Sequence, residues 1–187
     1  MSIPVMGHIG PWNEEMYFSL GETNERIELY DGYLFLSPAP RKRHQRILSR
    51  LWAAVDGPAA AAGLVAFTAV DVRLSTDQIL IPDLVVADTG EEGFVIDAAE
   101  VRLVAEVVSP VNPGADRIVK LRMYAAAGIT HCLLVEQEPE EDLVALRLFR
   151  LDGRYYVEHA FAEVGEVLQI REPFVCDLPA DTLLGQD

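Results

Sequence analysis

The sequence predicts an α/β fold: a mixed central β-sheet flanked by at least two helices, with an N-terminal β-hairpin and additional C-terminal strands. Three observations carry this expectation. Apolar residues recur at helical spacing over residues 44–61, and a second helix-like segment runs over residues 115–127. Two nearly continuous apolar runs, residues 79–87 and 101–108, read as strands of a sheet buried on both faces. Asp31-Gly32, between the runs 26–30 and 33–36, is a dipeptide suited to a tight hairpin. At 187 residues, with no repeats, low complexity or linker, the chain is expected to form a single domain over residues 1–187.

Taken in order, Pro11-Trp12-Asn13-Glu14-Glu15 opens a short helix with Trp12, Met16 and Leu20 on one side and Gly21 after it. The hairpin follows, and Ser37-Pro38-Ala39-Pro40 breaks the sheet. Ile47, Leu48, Leu51, Trp52 and Val55 give the first long helix its apolar face, and Gly57-Pro58 is expected to bend it or end it early. Residues 65–74 read as one strand alternating around Asp71 and Arg73, and residues 88–99 as a polar loop. Pro113-Gly114 lead into the second helix, which Gly128 ends. Residues 130–136, 144–151 and 155–161 are expected strands, the last two joined at Asp152-Gly153. A further strand over 167–170 and a helical turn over 181–184 complete the chain.

Charge limits what this chain can do. It carries 30 acidic residues against 15 basic ones, a net charge of −15. Affinity for nucleic acid rests largely on Lys and Arg neutralising phosphates, so a general-purpose DNA binder is excluded. A local cluster remains in Arg41, Lys42, Arg43 and Arg46, with Arg50 one turn on, and these are the candidate nucleic-acid contacts. The acidic stretch 136–142 reads as a solvated loop. The N-terminus lacks the pattern of a signal peptide, and the most apolar region, 53–67, is interrupted by Asp56, Gly57 and Pro58. No membrane partner is therefore expected. Cys132 and Cys176 have no partners at metal-ligand spacing and read as buried thiols of a cytoplasmic protein.

Asp83 and Glu106 stand out because each interrupts a buried apolar run. An ionised carboxylate there is costly unless it is paired or bound to a cation. Two such acids on neighbouring strands suit a hard divalent ion held through oxygen, while a strand-end acid satisfied by Arg or backbone N–H groups is the plainer alternative. Each acid is therefore expected to be dispensable for folding. Lys120 is one of two lysines in a chain whose other thirteen basic residues are arginines, which suggests a compact point charge in the interior. Asp116, Lys120 and Tyr124 are spaced i, i+4, i+8 and share roughly one helix face, which could equally be an ordinary surface pair.

Several of these segments together resemble the Uma2-like (DUF820) proteins, nucleases of the PD-(D/E)XK restriction-endonuclease-like fold. The matching pieces are Arg26-Ile27-Glu28-Leu29 with Asp31-Gly32; Ser37-Pro38-Ala39-Pro40 with His44-Gln45; Pro82-Asp83; Glu106-Val107-Val108-Ser109-Pro110; and Asp116-Arg117 with Lys120, Tyr124 and Gly128-Ile129. The resemblance implies that Asp83 and Glu106 bind metal and that Glu28 adds a further acid. It also implies that His44 lies near the cleft. The plain motif puts a lysine two residues after the second acid, where this chain has Val108, and Lys120 would take that role from the following helix. Many relatives continue with a Tyr-Trp strand where this chain has Thr130-His131-Cys132, a difference of packing that leaves His131 a structural residue.

The resulting expectation is a Mg²⁺- or Mn²⁺-dependent endonuclease acting on DNA and able to form a homodimer, with Asp83, Glu106, Lys120, Glu28 and His44 as its catalytic set and Asp116 and Tyr124 in support. Two alternatives stand beside it. One is a family member without catalysis that serves as a binding or assembly module, and the other is a metal-dependent hydrolase of a small phosphate ester.

Overall fold

The computed structural model describes residues 10–21, 23, 25–108, 115–138 and 143–185, and of residues 115–117 the backbone alone. The Asp-Gly hairpin forms as expected: β1 (Arg26–Tyr30) and β2 (Tyr33–Ser37) pair in register, Glu28 opposite Phe35 and Tyr30 opposite Tyr33. The short helix α1 (Glu14–Ser19) precedes it, with the Asn13 side chain accepting the Met16 N–H at its first turn.

The central sheet is mixed. Its order is β11 (Tyr155–Glu163), β10 (Leu143–Asp152), β9 (His131–Glu138), β8 (Val101–Val108), β6 (Leu84–Ala87) and β3 (Val65–Thr68). Only β8 and β9 run parallel, and the connection between them contains α3 (Ala115–Ala126). Period-two alternation divides this sheet between two cores. Leu84, Val86, Leu103, Ala105 and Val107 face the long helix α2 (Lys42–Ala61) and α4 (Ala180–Leu184). Val85, Val104, Cys132 and Leu134 face the α3 side, where Tyr124 and Met123 pack. Both faces are covered, which explains the unbroken apolar runs.

A second, five-stranded sheet was not legible. It has the order β2-β1-β5-β4-β7, where β4 is Asp71–Ser75, β5 is Gln78–Leu80 and β7 is Val95–Asp97. The expected strand over 65–74 therefore splits into β3 and β4, turning at Ala69 with φ +52°. The expected strand over 79–87 splits into β5 and β6, crossing between sheets at Ile81, Pro82 and Asp83. The two crossings touch: Ala69 N–H donates to the Asp83 carbonyl at 3.2 Å. Within the expected loop 88–99, β7 pairs parallel with β4. A strand β13 (Cys176–Pro179) pairs with β12 (Val167–Ile170).

The helix at 44–61 begins earlier than expected, at Lys42, and runs on through Pro58 to Ala61. Pro58 lacks an N–H, which leaves the Ala54 carbonyl without its helical donor. The Cys176 thiol lies 3.7 Å from that oxygen and takes the contact. Cys176 and Cys132 are both buried and unpaired, as their surroundings suggested. The acidic stretch 136–142 begins inside β9 as far as Glu138, and its remainder lies outside the described residues, as do Ser109-Pro110 and Pro113-Gly114. Among the described residues no helix is long and apolar enough to cross a membrane.

Gly32 closes the hairpin with φ +77°, and its carbonyl accepts Trp12 N–H at 2.8 Å. A Cβ there would stand 2.7 Å from Pro11 Cβ. Gly32→Ala should destabilise the protein by about 1–3 kcal/mol through backbone strain and this clash. Denaturant unfolding checks this, and an unchanged midpoint would refute it.

Candidate functional site

The crossing at Ile81–Asp83 leaves polar groups that no strand ladder satisfies, and charged side chains satisfy them instead. Because β6 starts at Leu84, opposite Ala105, the ladder stops short of Val107. The Val107 N–H donates to Asp83 Oδ2 at 2.8 Å. On β1, Arg26 and Glu28 lie two residues apart and so share a face. Glu28 Oε1 accepts the Ile81 N–H at 2.9 Å, and the Arg26 guanidinium donates to the Ile81 carbonyl. Arg26 also donates to Asp83 Oδ1 at 2.6 Å. Two side chains from the hairpin thus clamp the crossing segment.

Glu106 approaches from the other strand. It lies two residues after Val104 on β8, shares its face and so points to the α3 side. There α3 offers Lys120 and Tyr124, one helical turn apart. Tyr124 OH donates to Glu106 Oε1 at 2.5 Å. Lys120 Nζ lies 2.9 Å from Glu28 Oε1 and 3.6 Å from Glu106 Oε1, bridging the two acids. His44, in the first turn of α2, places Nε2 3.4 Å from Asp83 Oδ1, buried and without a hydrogen-bond partner.

The five expected catalytic residues therefore converge from four elements and one crossing: β1, α2, the β5–β6 link, β8 and α3. Tyr124 joins them. The side chain of Asp116 lies outside the described residues. Arg41, Lys42 and Arg46 are exposed around the start of α2, on the same short stretch as His44, and Arg43 is half-buried there. Among the contacts of the described residues, Arg41, Lys42 and Arg46 are not paired with the site acids. Arg26 is the residue to which the sequence reading gave no role. Its signal was available: an arginine two places before Glu28 on a strand reaches the same face as that acid, and a buried Asp83 needs a cation.

The electrostatics separate the acids. Burial pushes Asp83 up, but the His44 imidazole, the Arg26 guanidinium and the Val107 N–H outweigh it and hold the carboxyl at about 2. Burial pushes Glu106 up as well, and the nearby Asp83 charge adds to this; Lys120 and Arg26 offset it only in part, leaving it at about 7. Burial lowers Lys120, and the Glu106 and Glu28 charges more than restore it, to about 12. Three carboxylates face two fixed cations here. The site is short of positive charge.

That shortage fits a divalent cation in chemistry, since the donors are hard oxygens and one acid is driven toward keeping a proton. Yet Asp83 is engaged by Arg26, and among the described residues no three acidic or imidazole groups form a ready cation cage.

The Uma2 family, described as "Putative restriction endonuclease", matches residues 14–181. The chain belongs to the Uma2 family. In fold it is similar to a crystal structure described as "a putative nuclease belonging to DUF820" from Anabaena variabilis. The two share 17% sequence identity and a TM-score of 0.71, over 94% of this chain and 98% of that one. No curated protein matches. The structural match shows that the two chains share this fold, a mixed sheet flanked by helices, and the Uma2 match spans every element that meets at the site.

Two expectations about stability follow. Asp83 is not dispensable for folding, because it satisfies both Arg26 and the Val107 N–H. Asp83→Ala should cost about 2–4 kcal/mol, measured by denaturant unfolding; a neutral result would contradict the clamp. Glu106 holds its proton more tightly when folded than when unfolded. Its contribution is therefore complete below the usual glutamate range and is lost as pH rises through about 7. Asp83 behaves oppositely: its contribution is present above the ordinary aspartate value and is lost as pH falls toward about 2. Glu106→Gln should accordingly stabilise the protein at pH near 8 by at least about 1 kcal/mol relative to pH near 5. Equal effects at both pH values would contradict this.

Proposed function

We propose that this Uma2 protein is a metal-dependent nuclease hydrolysing phosphodiester bonds of DNA, with Asp83, Glu106, Lys120, Glu28 and His44 forming its catalytic set. The observation that carries this reading is the convergence of three carboxylates on Lys120 and Arg26 at the strand crossing, with Glu106 driven toward keeping its proton. Asp83 and Glu106 would hold Mg²⁺ or Mn²⁺, which when bound would polarise the scissile phosphate and acidify a water molecule. Arg26 and the cation would compete for Asp83, so the neutralising charge passes from one to the other.

The chain's own residues supply the rest. Lys120, held at about 12, stays an ammonium at neutral pH and cannot serve as a proton acceptor. Its role is to orient the attacking water and to offset charge building on the phosphoryl oxygens as water adds to phosphorus and the sugar oxygen leaves. Tyr124 fixes the Glu106 carboxylate by donating to one of its oxygens, which would hold the group in place for a cation. Glu28 anchors Lys120 at 2.9 Å, which keeps the ammonium beside Glu106. Arg41, Lys42, Arg43 and Arg46, at the start of α2, would meet the substrate backbone and give an acidic protein a local anion-binding rim.

A second reading has one observation in its favour. Asp83 is fully engaged by protein groups, as it would be in a purely structural network, and a module without catalysis would need no more. Incubating plasmid, single-stranded DNA and a mononucleotide ester with the protein and Mn²⁺ decides among the readings. Cleavage of polynucleotide but not of the ester is expected, with Lys120→Ala lowering turnover by about 10²–10³-fold and leaving Mn²⁺ affinity within a few-fold. Cleavage of the ester alone would favour the small-ester hydrolase, and no cleavage of any substrate would favour the inert module.

A further inference from the structure

The hairpin that supplies Arg26 and Glu28 to the site carries a second set of side chains on the same face. In an antiparallel pair, residues directly opposite project to one side with their Cβ atoms about 5 Å apart. The register puts Phe35 opposite Glu28, Tyr33 opposite Tyr30, and Ser37 opposite Arg26. The face therefore reads Arg26, Glu28, Tyr30 on β1 and Ser37, Phe35, Tyr33 on β2. The contact between Tyr30 and Phe35, with ring centroids 6.3 Å apart, shows that these rings do share a side. Phe35 is 49% exposed and Tyr33 67% exposed, although both lie on the face whose Arg26 and Glu28 are drawn into the site.

We propose that Phe35 and Tyr33 form a stacking platform for unpaired bases, so that the substrate of this site is single-stranded or locally melted nucleic acid. The inference rests on the nuclease reading for the identity of the polymer. Two features favour nucleic acid over other occupants of an aromatic face. The platform is continuous with the candidate catalytic acids, Phe35 standing beside Glu28, so a strand whose phosphate lies at Lys120 would carry its bases onto the rings. The charge balance of −15 also leaves few phosphate contacts, and their densest cluster lies at the start of α2, where His44 meets Asp83. A protein so poor in cations gains affinity for a polyanion by stacking, which is insensitive to sequence and to net charge. Bases paired within a duplex present only their edges in the grooves, so stacking on an exposed ring selects strands whose bases are free.

The test is fluorescence anisotropy with a labelled oligothymidylate of about 12 nucleotides and the corresponding duplex, using Ca²⁺ in place of Mn²⁺ to hold back hydrolysis. The single strand should bind about ten-fold or more tightly than the duplex, and Phe35→Ala and Tyr33→Ala should each weaken it by about ten-fold. Phe35→Trp should retain affinity, whereas Phe35→Leu, which keeps an apolar side chain in the hairpin, should behave like the alanine variant. Circular dichroism on each variant confirms that the hairpin stays folded. Tighter duplex binding, unchanged affinity in the alanine variants, or full affinity in Phe35→Leu would overturn the proposal. So would a wild-type dimer that Phe35→Ala converts to monomer, since the rings would then be covered by a second copy. Aromatic-dependent binding without cleavage in Mn²⁺ would leave the platform standing and remove the nuclease reading alone.

Discussion

Asp83 is the point on which the architecture turns. Its carboxylate takes the Val107 N–H that the end of the β6–β8 ladder leaves over, and it receives the Arg26 guanidinium from the neighbouring sheet. Its own backbone carbonyl accepts the Ala69 N–H of the other crossing. Two sheets between which the chain passes at these crossings are therefore bridged by this acid. An acid able to do this must be ionised, and its carboxyl is held at about 2 by His44, Arg26 and the Val107 N–H against its burial. The same property, a permanent carboxylate at a junction of strands, is what a divalent cation would require. Fold and proposed chemistry draw on one group.

The acids differ in what the protein has done for them. Asp83 has the Arg26 guanidinium, the His44 imidazole and an N–H around it; Glu106 has Tyr124 and a share of Lys120, and it remains under pressure to hold a proton. An added positive charge would relieve Glu106 most. In this view the chain's acidity overall and its demand for a cation locally are separate matters: −15 is distributed over the surface, whereas the deficit at the site belongs to three named carboxylates.

Much of this could be seen in the sequence, and what could not has a physical reason. Asp83 and Glu106 were legible because an acid inside an apolar run has few bland explanations. Lys120 was legible from its rarity and its place on the second helix. Glu28 and His44 came only from the family resemblance, since an acid in a hairpin and a histidine among arginines are ordinary by themselves. Arg26 was passed over because an arginine at a strand start reads as a solvated end. The crossings were missed for a different reason: residues 65–74 and 79–87 keep an apolar character as they pass from one sheet to the other, so the pattern does not register the change of partner. Pro82 was the available signal, because it can donate nothing to a ladder. The continuation of α2 past Pro58 brings Ala59 into the core beside Val55, and a thiol more than a hundred residues away meets the Ala54 carbonyl that Pro58 cannot, a contact no local pattern supplies.

The central claim is that these carboxylates, organised by the crossing, hold a divalent cation. Titration calorimetry of Mn²⁺ into the wild-type protein and into Glu106→Gln tests it most directly, because glutamine can still accept the Tyr124 hydrogen bond while losing the charge. One Mn²⁺ site in the wild type, weakened about ten-fold or more in the variant, is the predicted result. No binding in the wild type, or equal binding in both proteins, would contradict the account and leave the cluster a structural network.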